Sequence, residues 1–115
     1  SKEFKIKNYE LAFQYFFWNF ISLQGYELKV NNCAVCGSKF DPRDIYFSGK
    51  EGGIVCKKCS VLDKNTKKTN SDVVKVLRLI FEKDWQTISK LKIEQSSQKL
   101  LAEVSESAKT VFCPS

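Results

Sequence analysis

Residues 8–24 are apolar at most positions and predict a helix that is buried on several sides. Glu10, Gln14 and Ser22 form a thin polar stripe along this helix, and Gly25 follows as a suitable stop after its last turn. The aromatic residues of the segment are Tyr9, Phe13, Tyr15, Phe16, Phe17, Trp18 and Phe20. Because these are many for a small core, two interpretations are open: all of them pack in the core, or some face a partner or a missing domain.

A second helical block is predicted for residues 71–112. Asn70 or Ser71 can cap a first helix whose apolar positions fall on one face, and Asp84 can cap a short second helix. After a break at 95–97, apolar residues recur at three- and four-residue spacing, which is typical of an amphipathic last helix. These apolar positions are Leu100, Leu101, Val104, Ala108, Val111 and Phe112.

Between the two helical blocks, short runs of β-branched and aromatic residues predict a hairpin. Its strands are Ile45–Phe47 and Ile54–Val55, and Gly49–Gly53 is the turn between them. An extended connector at 26–32 precedes the hairpin, and a polar loop at 60–70 follows it. Because so few residues bury little apolar surface, a metal ion rather than hydrophobic packing is expected to hold the hairpin in shape.

Two C-x-x-C pairs flank this hairpin, Cys33 with Cys36 and Cys56 with Cys59. The interval between them falls within the roughly 15 to 20 residues of a four-thiolate zinc template. Two intervening residues allow one tight turn to bring both sulfurs of a pair to the same ion. Gly37 permits the left-handed backbone that such a turn often needs. The four cysteines are therefore predicted to bind one structural zinc ion.

Other interpretations of the cysteines fit the sequence less well. The total of five is odd and no apolar signal segment is visible at the start, which disfavours a disulfide framework. A thioredoxin-like site needs one C-x-x-C pair at a strand-to-helix junction, whereas here there are two pairs. Catalytic zinc keeps an open position, usually beside histidine or carboxylate, and the chain has no histidine. Disulfide and iron–sulfur chemistry remain as alternatives, and the distant Cys113 is predicted to be a spare thiol.

The size and charge of the chain allow one domain with a basic surface. A length of 115 residues supports one modest core, and 43% hydrophobic with 28% charged residues is ordinary for a globular chain. The formal charge is +6, which a zinc ion bound by four thiolates would lower to about +4. Such a surplus is compatible with nucleic acid, with an acidic peptide or with plain solubility.

The densest positive segment is a basic loop predicted at 57–70. No aromatic residue interleaves with its lysines, so contact with phosphates is predicted and base stacking is not. A solvated loop without any partner is the alternative. The residues predicted to bind nucleic acid are Arg43, Lys50, Lys57, Lys58, Lys64, Lys67 and Lys68.

The sequence offers no feature of a membrane protein or an enzyme. Its longest apolar stretch, 15–21, is too short to span a bilayer, so a cytoplasmic location without membrane contact is expected. Because no glycine-rich phosphate loop or nucleophile motif is visible, neither catalysis nor a small-molecule substrate is expected. The chain has no methionine, even at position 1, so either an initiator was removed before Ser1 or this is a piece of a longer protein, and the second is expected.

The order of the motifs carries a family resemblance. An aromatic-rich helix ends in Leu-Gln-Gly-Tyr, and Cys-Ala-Val-Cys-Gly, Phe-Asp-Pro and Gly-Gly-Ile-Val-Cys-Lys-Lys-Cys follow before a helical tail. From about Tyr9 to Leu101 this resembles the C-terminal region of the bacterial DNA repair and recombination mediator family RecO. The most specific parts of the resemblance are 23–37 and 52–59.

The resemblance implies a fold, a role and a set of partners. It implies a helical domain with an inserted zinc finger whose ligands are the four cysteines, preceded in full-length members by an oligonucleotide-binding (OB-fold) β-barrel. It implies annealing of single strands and loading of recombinase, together with the partner protein RecR. It also implies docking of the acidic, phenylalanine-ended tail of single-strand binding protein.

These observations lead to one expected fold and two candidate functions. The fold is expected to be mainly α, with a helical body at 8–25 and 71–112 and an inserted four-cysteine zinc finger of short strands at 33–59. The first function is a non-enzymatic DNA repair and recombination module that binds single- or double-stranded DNA. The alternative is a zinc-stabilised protein-interaction domain that does not contact nucleic acid.

Overall fold

The computed structural model describes residues 2–112, and that range contains four α-helices and five strands. The α-helices are α1 (Asn8–Leu23), α2 (Ser71–Phe81), α3 (Trp85–Lys90) and α4 (Gln95–Phe112). The strands are β1 (Glu3–Lys5), β2 (Ile45–Ser48), β3 (Gly53–Cys56), β4 (Lys67–Thr69) and β5 (Lys92–Glu94), and a 3-10 helix spans Cys59–Leu62. Cys113 lies outside the described residues.

The prediction of a mainly α fold is wrong, because the described residues also form two antiparallel sheets. In one sheet the order is β3-β2-β4, and in the other β1 pairs with β5. Strands β1, β4 and β5 have three residues each, which is too short for an alternating pattern to be recognised in the sequence. The chain is therefore a mixed α and β structure.

The helix starts predicted from capping residues are confirmed. The Asn70 side chain accepts a hydrogen bond from the Val73 N–H, and the Asp84 side chain accepts one from the Thr87 N–H. The predicted break at 95–97 is wrong, because α4 begins at Gln95. Ser97 is buried within the helix, where its hydroxyl donates to Asp72 and accepts from Asn70. A polar side chain satisfied in this way does not interrupt a helix.

The polar stripe of helix α1 turns inward only at Gln14, because Glu10 is half-buried and Ser22 is exposed. Gln14 is fully buried, and its side-chain amide donates to Glu10 and to the Ser105 hydroxyl. Its carbonyl accepts a 2.8 Å hydrogen bond from the Trp18 indole. Gln14 thus joins α1 to α4, and several aromatic residues of α1 are left on the outside.

The hairpin β2–β3 belongs to the main hydrophobic core. Ile45, Phe47 and Ile54 are almost completely buried, and the Phe47 ring meets the Trp18 ring at 6.2 Å between centroids. Arg78 of α2 adds a polar link, since its Nε donates to the Val30 carbonyl. Apolar packing on the helices therefore holds the hairpin in place, a contribution that the sequence analysis underestimated.

The segment predicted as a polar loop at 60–70 is more ordered than expected. The 3-10 helix occupies its start, and 67–69 form strand β4 against β2. Between them the buried Asp63 carboxylate accepts hydrogen bonds from the Ser48 hydroxyl at 2.6 Å and from the Asn65 N–H at 2.9 Å. The Ser48 hydrogen bond, opposed by burial, is the main reason that the pKa of Asp63 is lowered. Asp63 thus ties this segment to the end of β2.

None of the helices within residues 2–112 combines the length and the apolar character that crossing a membrane requires.

Replacement of Gly53 by alanine is expected to lower the free energy of unfolding by about 2–4 kcal/mol. At this position φ is +154°, and an added Cβ would overlap the Lys29 backbone. The Lys29 backbone accepts a hydrogen bond from the Ile54 N–H and donates one to the Gly52 carbonyl. It therefore cannot move away from the added Cβ without weakening these hydrogen bonds. Urea denaturation of the metal-loaded protein measures the change.

Gly52→Ala is the matched control. Its φ is +84°, but an added Cβ would meet no atom within 4 Å, so only backbone strain of about 1–2 kcal/mol is expected. Equal losses in the two variants would contradict the role assigned to the contact between Gly53 and Lys29.

Candidate metal centre and basic surface

The fold brings the four cysteines of the two C-x-x-C pairs to one point. The sulfurs of Cys33, Cys36, Cys56 and Cys59 all lie within 4.8 Å of one another. In a tetrahedron of metal–sulfur bonds near 2.3 Å, neighbouring sulfurs are about 3.8 Å apart. The 3.9 Å between the sulfurs of Cys36 and Cys56 is close to that value and far beyond the roughly 2.05 Å of a disulfide. The four described cysteines are free thiols.

The first pair is shaped by a tight turn that is bonded to strand β3. The Gly37 N–H donates to the Cys33 carbonyl, and the Cys33 N–H donates to the Ser38 carbonyl, both at 2.9 Å. Gly37 has φ +76°, which confirms the left-handed backbone predicted there. The Ala34 N–H donates to the Ile54 carbonyl, so the turn is fixed to the strand that leads to the second pair.

The second pair follows directly from strand β3. Cys56 is the last residue of β3, and Cys59 is the first residue of the 3-10 helix. The Cys56 N–H points at the Cys33 sulfur at 3.4 Å, which is the kind of backbone contact that stabilises a bound thiolate. This contact links the two cysteine pairs to each other directly, without a metal ion.

A small apolar cluster surrounds the inner sulfurs. Cys33, Val55 and Cys59 are buried together, and Tyr46 and Ala34 pack beside them. Cys36 is exposed, so the candidate site lies at the protein surface with one side toward solvent. Apolar walls around the inner sulfurs strengthen electrostatic contacts with a bound cation.

The pKa values of the cysteine thiols are shifted in different directions. Burial acts to raise the pKa of Cys33, but backbone N–H groups, first that of Cys36, outweigh it and hold the pKa at about 6. Burial and the neighbouring sulfurs raise the pKa of Cys59 to about 12. Hydrogen bonds from Ser38 lower the pKa of Cys36. The backbone N–H groups therefore favour the thiolate form of Cys33, whereas burial and the neighbouring sulfurs disfavour that of Cys59.

The donor set fits a thiophilic metal ion. Four sulfurs within bonding reach of a common centre suit Zn²⁺ or an iron–sulfur site and do not suit Mg²⁺ or Ca²⁺, which prefer oxygen ligands. Because all four positions of a tetrahedron would be filled by protein, such a site would be closed to substrate.

The predicted nucleic-acid residues are all exposed, but they lie on several elements. Lys57 and Lys58 sit between the two cysteines of the second pair, and Lys50 is in the turn between β2 and β3. Arg43 precedes β2, and its guanidinium forms two hydrogen bonds with the Asp41 carboxylate, which lower the Asp41 pKa. Arg43 is therefore the weakest of these candidates for phosphate binding.

Strand β4 separates two lysines that are adjacent in the sequence. Successive side chains of a strand point to opposite faces, so Lys67 and Lys68 diverge. Lys68 pairs with Tyr46, which packs beside the cysteine cluster, so Lys68 lies on the same face as the candidate metal site. Lys67 pairs with Phe47 and lines a groove against α4 that also contains Glu103. The basic segment therefore does not form one continuous surface.

The sequence analysis missed a second surface feature, a groove of about 310 Å³ beside α2. It is assembled from segments that are distant in the sequence, so no local pattern indicates it. Its lining residues are Asn31, Lys39, Phe40, Pro42, Ile45, Ser71, Val74 and Arg78.

Zinc binding to the metal-free protein is expected to release the proton of Cys59, because only thiolates coordinate the metal. The apparent Zn²⁺ affinity should rise about tenfold or more for each pH unit between about pH 6 and pH 8. Competition titrations against a chelator, at one ion per chain, measure this slope. Cys59→Ser should bind much more weakly and with a shallower slope, whereas a wild-type affinity independent of pH would contradict the prediction.

Comparisons with known proteins agree on one family. The family model described as "Recombination protein O C terminal" matches residues 5–108. The DNA repair protein RecO of Dehalococcoides mccartyi is 34% identical over 89 residues, covering 75% of this chain and 34% of the relative. The protein of the same name from Desulforamulus reducens is 27% identical over 90 residues, covering 78% and 35%. That from Caldanaerobacter subterraneus subsp. tengcongensis is 33% identical over 87 residues, covering 72% and 34%.

The comparisons also show how much of this chain and of its relatives is matched. No solved structure matches this chain. The chain spans about a third of the length of the curated relatives that it matches. The family match runs from β1 into α4 and includes both cysteine pairs. The chain therefore belongs to the RecO family of DNA repair proteins, within the C-terminal region that the family model describes.

Proposed function

We propose that this chain is the C-terminal module of a RecO-type recombination mediator and that its four clustered cysteines bind one structural Zn²⁺. The observation that carries the metal assignment is the convergence of all four sulfurs within 4.8 Å. Zinc is favoured over an iron–sulfur cluster by the spacing of the two pairs and by the closeness of the four sulfurs, which leaves room for one ion. When bound, the ion supplies a crosslink between the two turns and no catalytic step.

A crosslink at the cysteines would join the turn at 33–38 to the loop that begins at Lys57. The first turn, at 33–38, is joined to the sheet by the hydrogen bond from Ala34 to Ile54, and the sequence after Cys59 continues into the 3-10 helix. A metal that bridges both turns fixes the loop that begins at Val30 and the loop that begins at Lys57. The role is therefore structural, and the module is expected to be non-enzymatic.

The lysines near the cysteine cluster support DNA binding. Lys57, Lys58 and Lys68 are exposed and lie on or beside the cysteine turns, and Lys50 and Lys64 are exposed in neighbouring turns. Within residues 2–112 the ion pairs are Arg43 with Asp41 and Lys109 with Glu106, so these five lysines keep their charge for an external anion. No aromatic side chain lies among them in the sequence, so contact with phosphates of single- or double-stranded DNA is the proposed mode.

Replacing Lys50, Lys57, Lys58, Lys64 and Lys68 by glutamine is expected to weaken binding to a single-stranded oligonucleotide at least about tenfold at low salt. Each lost phosphate contact should also reduce the slope of log affinity against log salt by about 0.7. Fluorescence anisotropy with the zinc-loaded protein, at several salt concentrations, measures both quantities.

A second variant with the same net charge distinguishes DNA binding at a local site from nonspecific electrostatic attraction between the protein and DNA. It carries glutamine at exposed lysines elsewhere, namely Lys2, Lys75, Lys83, Lys90 and Lys92. This control should retain most of the affinity and of the salt slope. Equal losses in the two variants, or no loss in either, would rule out the proposed DNA site.

The groove beside α2 supports a second function, the docking of an acidic peptide. Phe40, Ile45 and Val74 give it apolar walls, and Lys39 and Arg78 supply positive charge. The hydrogen bond from Arg78 Nε to the Val30 carbonyl holds the guanidinium at the groove. A peptide that ends in phenylalanine and carries carboxylates would find both kinds of contact there.

This chemistry corresponds to the tail of single-strand binding protein that the family resemblance implies as a partner. A RecR-like partner is implied as well, and no particular surface of this chain favours it. Binding of a peptide through an apolar pocket with charges at its rim should respond less to salt than binding to phosphates does.

Lys39→Glu is expected to weaken binding of a short acidic peptide with a carboxyl-terminal phenylalanine about five- to tenfold. Lys39 is exposed, so the substitution should leave folding unchanged. Isothermal titration calorimetry with the peptide measures the loss, and Lys90→Glu, a charge reversal at another exposed lysine that does not line the groove, is the control. If both variants bind the peptide as the wild type does, the groove is not the docking site.

A further inference from the structure

Two adjacent aliphatic side chains project from the 3-10 helix that begins at Cys59. Val61 is 81% exposed and Leu62 is 53% exposed. We call these two residues the apolar tip. Side chains with so much exposed surface stand out from the protein and do not line a groove, so the apolar tip is convex. Aliphatic residues exposed singly are ordinary, whereas two neighbours within a cationic segment are a candidate contact surface.

The apolar tip is fixed to the rest of the protein at both of its ends. Cys59 precedes it and is buried in the cysteine cluster, and Asp63 follows it and is buried against the end of β2. Between them, the Ser60 N–H and hydroxyl both donate to the Lys57 carbonyl, at 3.2 and 2.6 Å. The Thr66 hydroxyl donates to the Ser60 carbonyl. Because the segment is held in this way, little conformational freedom would be lost when a partner binds.

Exposed lysines surround the apolar tip. They precede it, follow it or lie in the turn between β2 and β3, and they are Lys57, Lys58, Lys64 and Lys50. That turn lies beside the segment, because the pKa of Asp63 is lowered first by the Ser48 hydroxyl, against the effect of burial, and also by the Lys50 ammonium. The Asp63 carboxylate is buried and hydrogen-bonded, and Glu51 in the same turn is half-buried. The surroundings of the apolar tip therefore favour an anionic partner.

We propose that the apolar tip contacts the bases of single-stranded nucleic acid while the lysines around it bind the phosphates. A single strand offers both groups at once, because its bases are unpaired and open to apolar contact. In a duplex the bases are paired and stacked, so the lysines would reach phosphates and the apolar tip would add little. Aliphatic side chains are among those that DNA-binding proteins insert between bases. The inference rests on the proposed DNA binding by these lysines and adds a preference for single strands.

An acidic peptide fits the apolar tip less well than a single strand does. Peptides place their apolar anchors in concave pockets from which water is excluded, and a convex surface offers no such pocket. The groove beside α2 has the concave shape that a peptide needs. The bases of a flexible strand can instead close around a projecting side chain. The convex shape thus favours nucleic acid over a peptide at this surface.

Replacement of both Val61 and Leu62 by serine in the zinc-loaded protein tests the inference. Fluorescence anisotropy is measured with an oligothymidylate single strand and with a duplex of the same length, each at several salt concentrations. The variant should bind the single strand about five- to tenfold more weakly, because apolar contact with the bases is lost. Its slope of log affinity against log salt should not change, since no phosphate contact is removed. Its affinity for the duplex should equal that of the wild type.

Two further variants control for the loss of apolar surface. Val61→Ile combined with Leu62→Met keeps the tip apolar and should bind the single strand as the wild type does. Leu23→Ser removes an aliphatic side chain that is 85% exposed at the end of α1, outside the apolar tip, and should also bind as the wild type does. Circular dichroism and zinc content confirm that each variant is folded.

Three results would overturn the inference and leave the proposed DNA site in place. The first is an unchanged single-strand affinity in the serine variant, when the variant with five lysines replaced by glutamine does lose affinity. The second is an equal loss for single strand and duplex, or a reduced salt slope, since either would mean that the serines disturb the lysines. The third is a serine variant that loses affinity for the acidic, phenylalanine-ended peptide and not for the single strand, which would assign the apolar tip to a protein partner.

A different result would overturn the proposed function itself. If the five-lysine variant binds the single strand as the wild type does, these lysines do not form a DNA site, and the inference about the apolar tip fails with it.

Discussion

The hairpin β2–β3 is the element on which the rest of the structure depends, because its residues serve two clusters at once. Phe47 and Ile54 lie in the main core with Trp18, while Val55, next to Ile54 along the strand, lies with the cysteine sulfurs. Strand alternation makes this division possible, since neighbouring side chains point to opposite faces. The candidate metal site is thereby fixed relative to the helices even before an ion is bound.

This arrangement defines what a metal ion bound by the four cysteines would do. The helical core already holds one face of the sheet, so an ion would not be needed to create that face. What the core does not hold is the turn at 33–38 on the other side, which makes few apolar contacts beyond Cys33 and Ala34. A tetrahedral ion adds strong bonds where hydrophobic burial is weak, which is the usual reason for structural zinc in small modules.

Buried polar side chains fix the relative positions of the helices. Gln14 links α1 to α4 through Ser105, and Ser97 links α4 to α2 through Asp72. Each of these groups has hydrogen-bond partners, so it gives specificity without the cost of an unsatisfied polar atom. With the interior arranged in this way, the basic lysines, the groove beside α2 and the exposed apolar side of α1 are left as three chemically different surfaces.

The sequence by itself determined the features that depend on neighbouring residues. The thiolate donor set follows from the spacing of two tight turns, and the starts of α2 and α3 follow from Asn70 and Asp84, which bond to N–H groups three residues away. Only the tertiary structure decided the features that need distant partners. Strands of three residues exist because another strand lies beside them, and a helix that is apolar nearly all round carries no signal of which side the core will cover. For that reason Gln14 faces inward and Phe16 faces outward: the choice was made by α4 and the sheet, and not by α1 itself.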